Sequence, residues 1–139
     1  MKRTVAALAA ALLCSATASA QSYPGDTGRG YLLGIQQVNN SGEVGTVTLF
    51  NRGSKTLVAV NINGAPAKAQ SVRIYRGRGC DSDIGEKPEY YLNDVRGGSS
   101  VSTVQIPFAR LVSGNYNVMV FSSNQAGAQA AACGHLYTS

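Results

Sequence analysis

From Tyr31 onward the chain is cut into short runs in which apolar and polar residues alternate, each ended by glycine, asparagine or serine. A period of two puts successive side chains on opposite faces of a strand. Such runs, recurring every roughly 8–12 residues, build antiparallel sandwiches or barrels. The runs are 31–38, 45–50, 56–62, 71–76, 100–106, 116–121 and 128–136, with 88–92 as a short eighth. No stretch holds the period of an amphipathic helix long enough to compete. The alanines before Cys133 lie between Gly127 and Gly134, which favours a strand there as well.

Alternation also sorts the faces. Val47, Leu49, Val58, Val60, Ile62, Val72, Ile74, Val104, Ile106, Tyr116, Val118 and Val120 are expected in the core. The run 100–106 breaks the pattern, because Ser102 shares the face of Val104 and Ile106 while Val101 points the other way. Arg73, Tyr75, Asn117, Met119 and Phe121 are expected outside the core. An outward Met and Phe on one strand need either a covering loop or a partner.

Residues 1–20 read as an export signal. Lys2 and Arg3 precede an apolar run too short to cross a bilayer, and Ala18-Ser19-Ala20 is an A-x-A cleavage site, so Gln21 is the expected first residue of the mature chain. Lipidation at Cys14 fits poorly, because bulky Leu13 precedes it. Residues 21–30 read as a flexible lead and 31–139 as one domain. Cleavage removes two of the 12 basic residues, against 7 acidic ones, and lowers the net charge from +5 to about +3. That is too mild for a dedicated nucleic-acid binder. No later apolar segment approaches a membrane-spanning length, so no integral membrane insertion is expected. The destination is the periplasm or the extracellular medium.

Cys80 and Cys133 are the cysteines left after cleavage. An even pair in an exported chain reads as a structural disulfide, here closing a loop of 53 residues and worth about 3–4 kcal/mol in the loop-entropy account. Free thiols or a redox pair are the alternatives. No C-x-x-C motif supports the latter.

Three segments carry a resemblance to a known family. "SGEVGTVTLFNRGSKTLVAVNINGAPA" (41–67), "YYLNDVRGGSSVSTVQIPFARLVSGNYNVMVFSS" (90–123) and "AACGHLY" (131–137) resemble, in order and spacing, the copper–zinc superoxide dismutase-like domains of exported bacterial proteins. The resemblance covers most of 41–137. It implies an all-β fold, an eight-stranded antiparallel Greek-key β-sandwich or flattened barrel, with the Cys80–Cys133 disulfide. In that family an H-x-H strand and a later histidine hold copper, and histidines with an aspartate in the loop after the cysteine hold zinc.

Here the H-x-H positions are Arg73 and Tyr75, and the later one is Phe121. A guanidinium stays protonated and a phenyl ring has no donor, while imidazole both binds either copper oxidation state and carries a proton. The loop after Cys80 has no histidine, and His135 is the one histidine in the chain. Four residues separate Tyr75 from Cys80, slightly more than in the family. The resemblance therefore implies the fold without its metal site. No cofactor, metal ligand or catalytic residue is expected.

Five carboxylates, Asp81, Asp83, Glu86, Glu89 and Asp94, follow three arginines, Arg73, Arg76 and Arg78. A solvated loop whose acids pair with those arginines, Arg73 included, is the simplest reading; a calcium site through Asp81-x-Asp83 is the other. His135 lacks the partners of a hydrolase triad and reads as a surface or interface residue. Arg73, Tyr75, Met119 and Phe121 form either a second small core under the 80–95 loop or a contact patch. The expected function is an exported, non-catalytic binding or structural module, its partner a protein or envelope component, with homodimerisation left open. A divergent metal-binding dismutase-like enzyme and a calcium-assisted adhesion or matrix module are the alternatives.

Overall fold

A computed structural model describes residues 28–80 and 85–137. The export signal, most of the lead, and Asp81 and Asp83 lie outside the described residues. The chain folds into eight strands: β1 Tyr31–Gln37, β2 Val44–Arg52, β3 Lys55–Asn63, β4 Gln70–Arg76, β5 Tyr90–Val95, β6 Ser99–Val104, β7 Tyr116–Phe121 and β8 Ala130–His135. One short helix, α1 Phe108–Ser113, joins β6 to β7. Alternation located every strand, but 88–92 foretold only the first half of β5, and the helix was not foreseen. Pro107 opens α1 and Gly114 closes it, a pair of punctuation marks too close together for a periodic signal.

The strand order is β5-β4-β7-β8-β1-β2-β3-β6, every pairing antiparallel. Strands β4, β5 and β6 follow one another and β7 returns to lie beside β4, which is a Greek key. β1 belongs to both halves of the flattened barrel. Tyr31 to Ile35 pair with β2, while Gln36 and Gln37 pair with β8. The whole core list from the alternation is buried, joined by Ile35, Val95, Leu111 and Leu136. Each fully buried Val, Leu or Ile in it contributes roughly 1.5–3 kcal/mol. The tight fit has one sequence-fixed point at Gly45, where a Cβ would lie 1.8 Å from the Asn61 carbonyl oxygen across the β2–β3 ladder.

The broken alternation in β6 has a physical cause. β5 and β6 are the two ends of the sheet order, so the barrel closes between them without a strand ladder. Two serine hydroxyls bridge the gap. Ser102 Oγ accepts from the Asn93 backbone N–H at 2.8 Å, and Ser100 Oγ donates to the Asn93 carbonyl at 2.9 Å. Asn93 Nδ2 completes the seam by donating to the Val101 carbonyl at 2.7 Å. Both serines are buried. Apolar residues at these positions would leave the β5 backbone groups unpaired, which costs more than a hydroxyl in the core.

Candidate functional site

The outer face of β4, β7 and β8 carries the residues singled out from the sequence. β4 presents Arg73 and Tyr75, and its neighbour β7 presents Asn117, Met119 and Phe121. The register sets Arg73 beside Met119 and Tyr75 beside Asn117. On the far side of β7, Met119 lies beside Cys133 of β8. Tyr75, Met119 and Cys133 form a second buried cluster, packed by Val38, Cys80, Phe121 and Ala130. Tyr75 and Met119 retain 8% and 7% of their accessible surface, while Arg73 and Phe121 stay half-buried. Of the four patch candidates, only Arg73 and Phe121 therefore offer appreciable surface to a partner.

Two devices build the cover. The disulfide joins Cys80 to Cys133, with their Cα atoms 5.9 Å apart, and pins the segment after β4 onto the cluster. The second device is a register shift between β7 and β8 at Val120/Phe121. Beside it, on the β1 side of β8, the carbonyls of Ala130 and Ala131 anchor the β1–β2 connection. The Val38 N–H donates to Ala131 O at 2.9 Å, Asn39 Nδ2 donates to Ala130 O at 2.9 Å, and Ser41 Oγ also bonds Ala131 O. Asn39 and Asn40 both adopt left-handed φ, at 53° and 52°, a conformation asparagine tolerates better than most residues. The tight turn they make carries Val38 onto Met119 and Cys133. Cys80 thus shares the cover with a connection from the other side of the chain. Nothing in the local sequence of 38–41 signals that role.

Among the described residues Arg73 pairs with no acid; Asp81 and Asp83, two of the five carboxylates in the expected pairing, lie outside them. Its guanidinium lies between two rings, 4.9 Å from the centroid of Phe121 and 5.6 Å from that of Tyr91. Tyr91 is the cross-strand neighbour of Arg73 on β5 and is 72% exposed. Sequence reasoning missed it because β5 follows a loop whose length hides the register. Phe121 in turn tilts against Tyr75, with ring centroids 6.4 Å apart. The order across the face is Tyr91, Arg73, Phe121, Tyr75. These groups hold one another by stacking and offer no donor set suited to copper.

The acids disperse. Glu89 lies 3.7 Å from Arg76 Nε, as the pairing reading anticipates. Asp94 accepts from Asn124 Nδ2 at 3.0 Å and lies 3.9 Å from Arg96 at the seam hairpin. Glu86 is exposed. Among the described residues, no three His, Cys, Asp or Glu side chains gather where they could hold a metal ion. His135 faces solvent on β8. Its Nδ1 shares a hydrogen bond with Asn117 Oδ1, and its ring lies 5.1 Å from that of Tyr137. Asn117 is fully buried and donates through Nδ2 to the Gly77 carbonyl at 2.7 Å. It therefore ties β8 to the start of the disulfide loop, a structural use for a polar residue that alternation had merely placed outside. The chain matches no protein-family model, and comparison with curated proteins and with solved structures finds no match.

Proposed function

We propose that the protein is an exported, non-catalytic binding module that keeps a superoxide dismutase-like fold while its former copper face serves as a contact surface. The observation that carries this reading is the ring–guanidinium–ring stack of Tyr91, Arg73 and Phe121. At the positions that the resemblance assigns to metal-binding imidazoles stand a cation, a phenol and a phenyl ring, and they are packed against one another. The stack is half-open, with Tyr91 exposed at its rim. Arginine and aromatic side chains are the types enriched at the centres of protein contacts. The Greek-key strand order and the disulfide between Cys80 and Cys133 also accord with the resemblance. The disulfide suits an oxidising compartment, and no described helix is long and apolar enough to cross a membrane.

The test has two arms. Purified protein is incubated with copper and zinc, dialysed, and assayed for bound metal and superoxide turnover; neither is expected. One retained copper per chain with turnover would replace this reading with the dismutase-like enzyme. In the second arm, protein is used to capture partners from the envelope fraction of its source cell. A partner held by the wild type and lost with Arg73→Ala and Tyr91→Ala supports the contact surface. Equal capture by all three proteins would move the surface elsewhere.

A further inference from the structure

A cleft of about 370 Å³ opens at the α1 end of the barrel, separate from the Arg73 stack. We propose that this cleft is a binding site for a carboxylate, held between Arg76 and Arg110 over a floor of two tyrosines.

The floor is preassembled. Tyr116, buried at the start of β7, lies 6.2 Å ring to ring from Tyr90 at the start of β5. Arg76, the last residue of β4, stacks 5.1 Å over the Tyr116 ring and donates from Nη2 to its hydroxyl at 2.8 Å. Gly114 lets the wall come this close, since a Cβ there would meet the Tyr116 ring at 2.4 Å and the Arg110 carbonyl at 2.8 Å. The two tyrosines and Arg76 thus sit in fixed relation before any ligand arrives, which lowers the cost of binding.

The charge selects the ligand. Two guanidiniums and one carboxylate, Glu89, line the cleft. Glu89 lies near Arg76 at 3.7 Å, in a pair that is largely solvated on both sides. Arg110 has no acidic partner among the described residues. The site therefore carries about one uncompensated positive charge, matched by a monoanion, whereas the nearby Glu89 opposes a phosphate dianion. A guanidinium fork also fits a planar carboxylate through two parallel hydrogen bonds. Burial first, and then the neighbouring Tyr116 phenol and Glu89, raise the pKa of Tyr90 above its ordinary value. Tyr90 accordingly keeps its proton at physiological pH and shares it with Tyr116 through a side-chain hydrogen bond, which leaves the anion's own hydrogen bonds to the guanidiniums.

The chemistry does not say whether the carboxylate belongs to a free small acid or to an acidic peptide, and the experiment separates the two. Amide chemical shifts of the isotopically labelled protein are followed while propionate, an end-blocked Gly-Glu-Gly peptide or inorganic phosphate is added. Saturable shifts centred on Gly114 and Gln105 are expected. Binding should weaken at least about tenfold in Arg110→Ala and be only partly restored in Arg110→Lys, which returns the charge without the fork. Saturation by propionate assigns a free acid, and saturation by the peptide alone assigns a protein source; both uphold the site. The proposal fails if neither carboxylate saturates, if Arg110→Ala binds as well as the wild type, or if phosphate binds more tightly than either. Arg110 is exposed and outside the core, so the variant keeps its fold, which the spectrum itself reports.

Discussion

Ile74 and Tyr75 are neighbours on β4 and belong to two different interiors. Ile74 has no accessible surface and packs among β-branched residues from both halves of the barrel. Tyr75 points the opposite way, into a cluster that exists because a disulfide and an asparagine turn were laid over the outside of the sheet. The inner core is redundant, with many strands contributing similar side chains. The outer one depends on two fastenings. That difference predicts where the molecule tolerates loss and where it fails piecemeal.

The largest contrast is between the two neighbours themselves. Ile74→Ala should cost about 4 kcal/mol, because a fully buried side chain leaves a cavity the barrel cannot close. Tyr75→Ala should cost about 2 kcal/mol, since its cluster is shallow and solvent can enter. Urea unfolding monitored by circular dichroism measures both. Equal costs would mean the outer cluster is as tightly built as the inner one.

Removing the disulfide by Cys80→Ser with Cys133→Ser should cost about 3 kcal/mol. The loss should be local in character. In the Cys-free background, Met119→Ala is expected to lose at least about 1 kcal/mol less than in the wild type, because its cover has already loosened. Val118→Ala, on the inner face of the same strand, should cost the same in both backgrounds within about 0.5 kcal/mol. If Val118 couples to the disulfide as strongly as Met119 does, the two interiors are one.

The seam between β5 and β6 inverts the usual rule about cores. Ser102→Val would complete the apolar alternation of β6, and pattern alone predicts a gain. It should instead destabilise by about 1–2 kcal/mol, because the Asn93 N–H loses its acceptor. Ser102→Thr, which keeps a hydroxyl, should recover part of the loss. A stabilised Ser102→Val protein would show that water can replace the serine and that the seam is open.

These contrasts also mark how far the sequence could be read. The strands and the inner face were legible because period-two alternation is a local signal, strong wherever one face is dry. The disulfide followed from an even cysteine pair in a chain read as exported. The serines of β6 looked like noise, because their purpose lies on a strand across the barrel closure. The outer face was legible only as an anomaly: Met119 and Phe121 pointed away from the core without a reason. The reasons were Val38, delivered by the β1–β8 pairing, and Tyr91, delivered by the β4–β5 pairing. Both arise from register, which no local pattern encodes when a long loop intervenes. The cleft at Arg110 was invisible for the same cause, as its walls come from two separate connections, β4–β5 and β6–β7.

The smallest effect tests the most specific feature of the outer face, the stack of Tyr91, Arg73 and Phe121. A double-mutant cycle with Arg73→Met and Tyr91→Ala should give a coupling of about 0.5 kcal/mol, the usual size for a cation over an exposed ring. The same cycle between Arg73 and Phe121 should give more, because that ring is closer and better shielded from water. Repeating the cycles at high salt separates the alternatives. An arginine held by a loop carboxylate would lose most of its contribution as screening rises, whereas one held by short-range contact with two rings should lose little. A strongly salt-dependent Arg73 would therefore put an acid where the structure places Tyr91, and the outer face would belong to the loop rather than to the sheet.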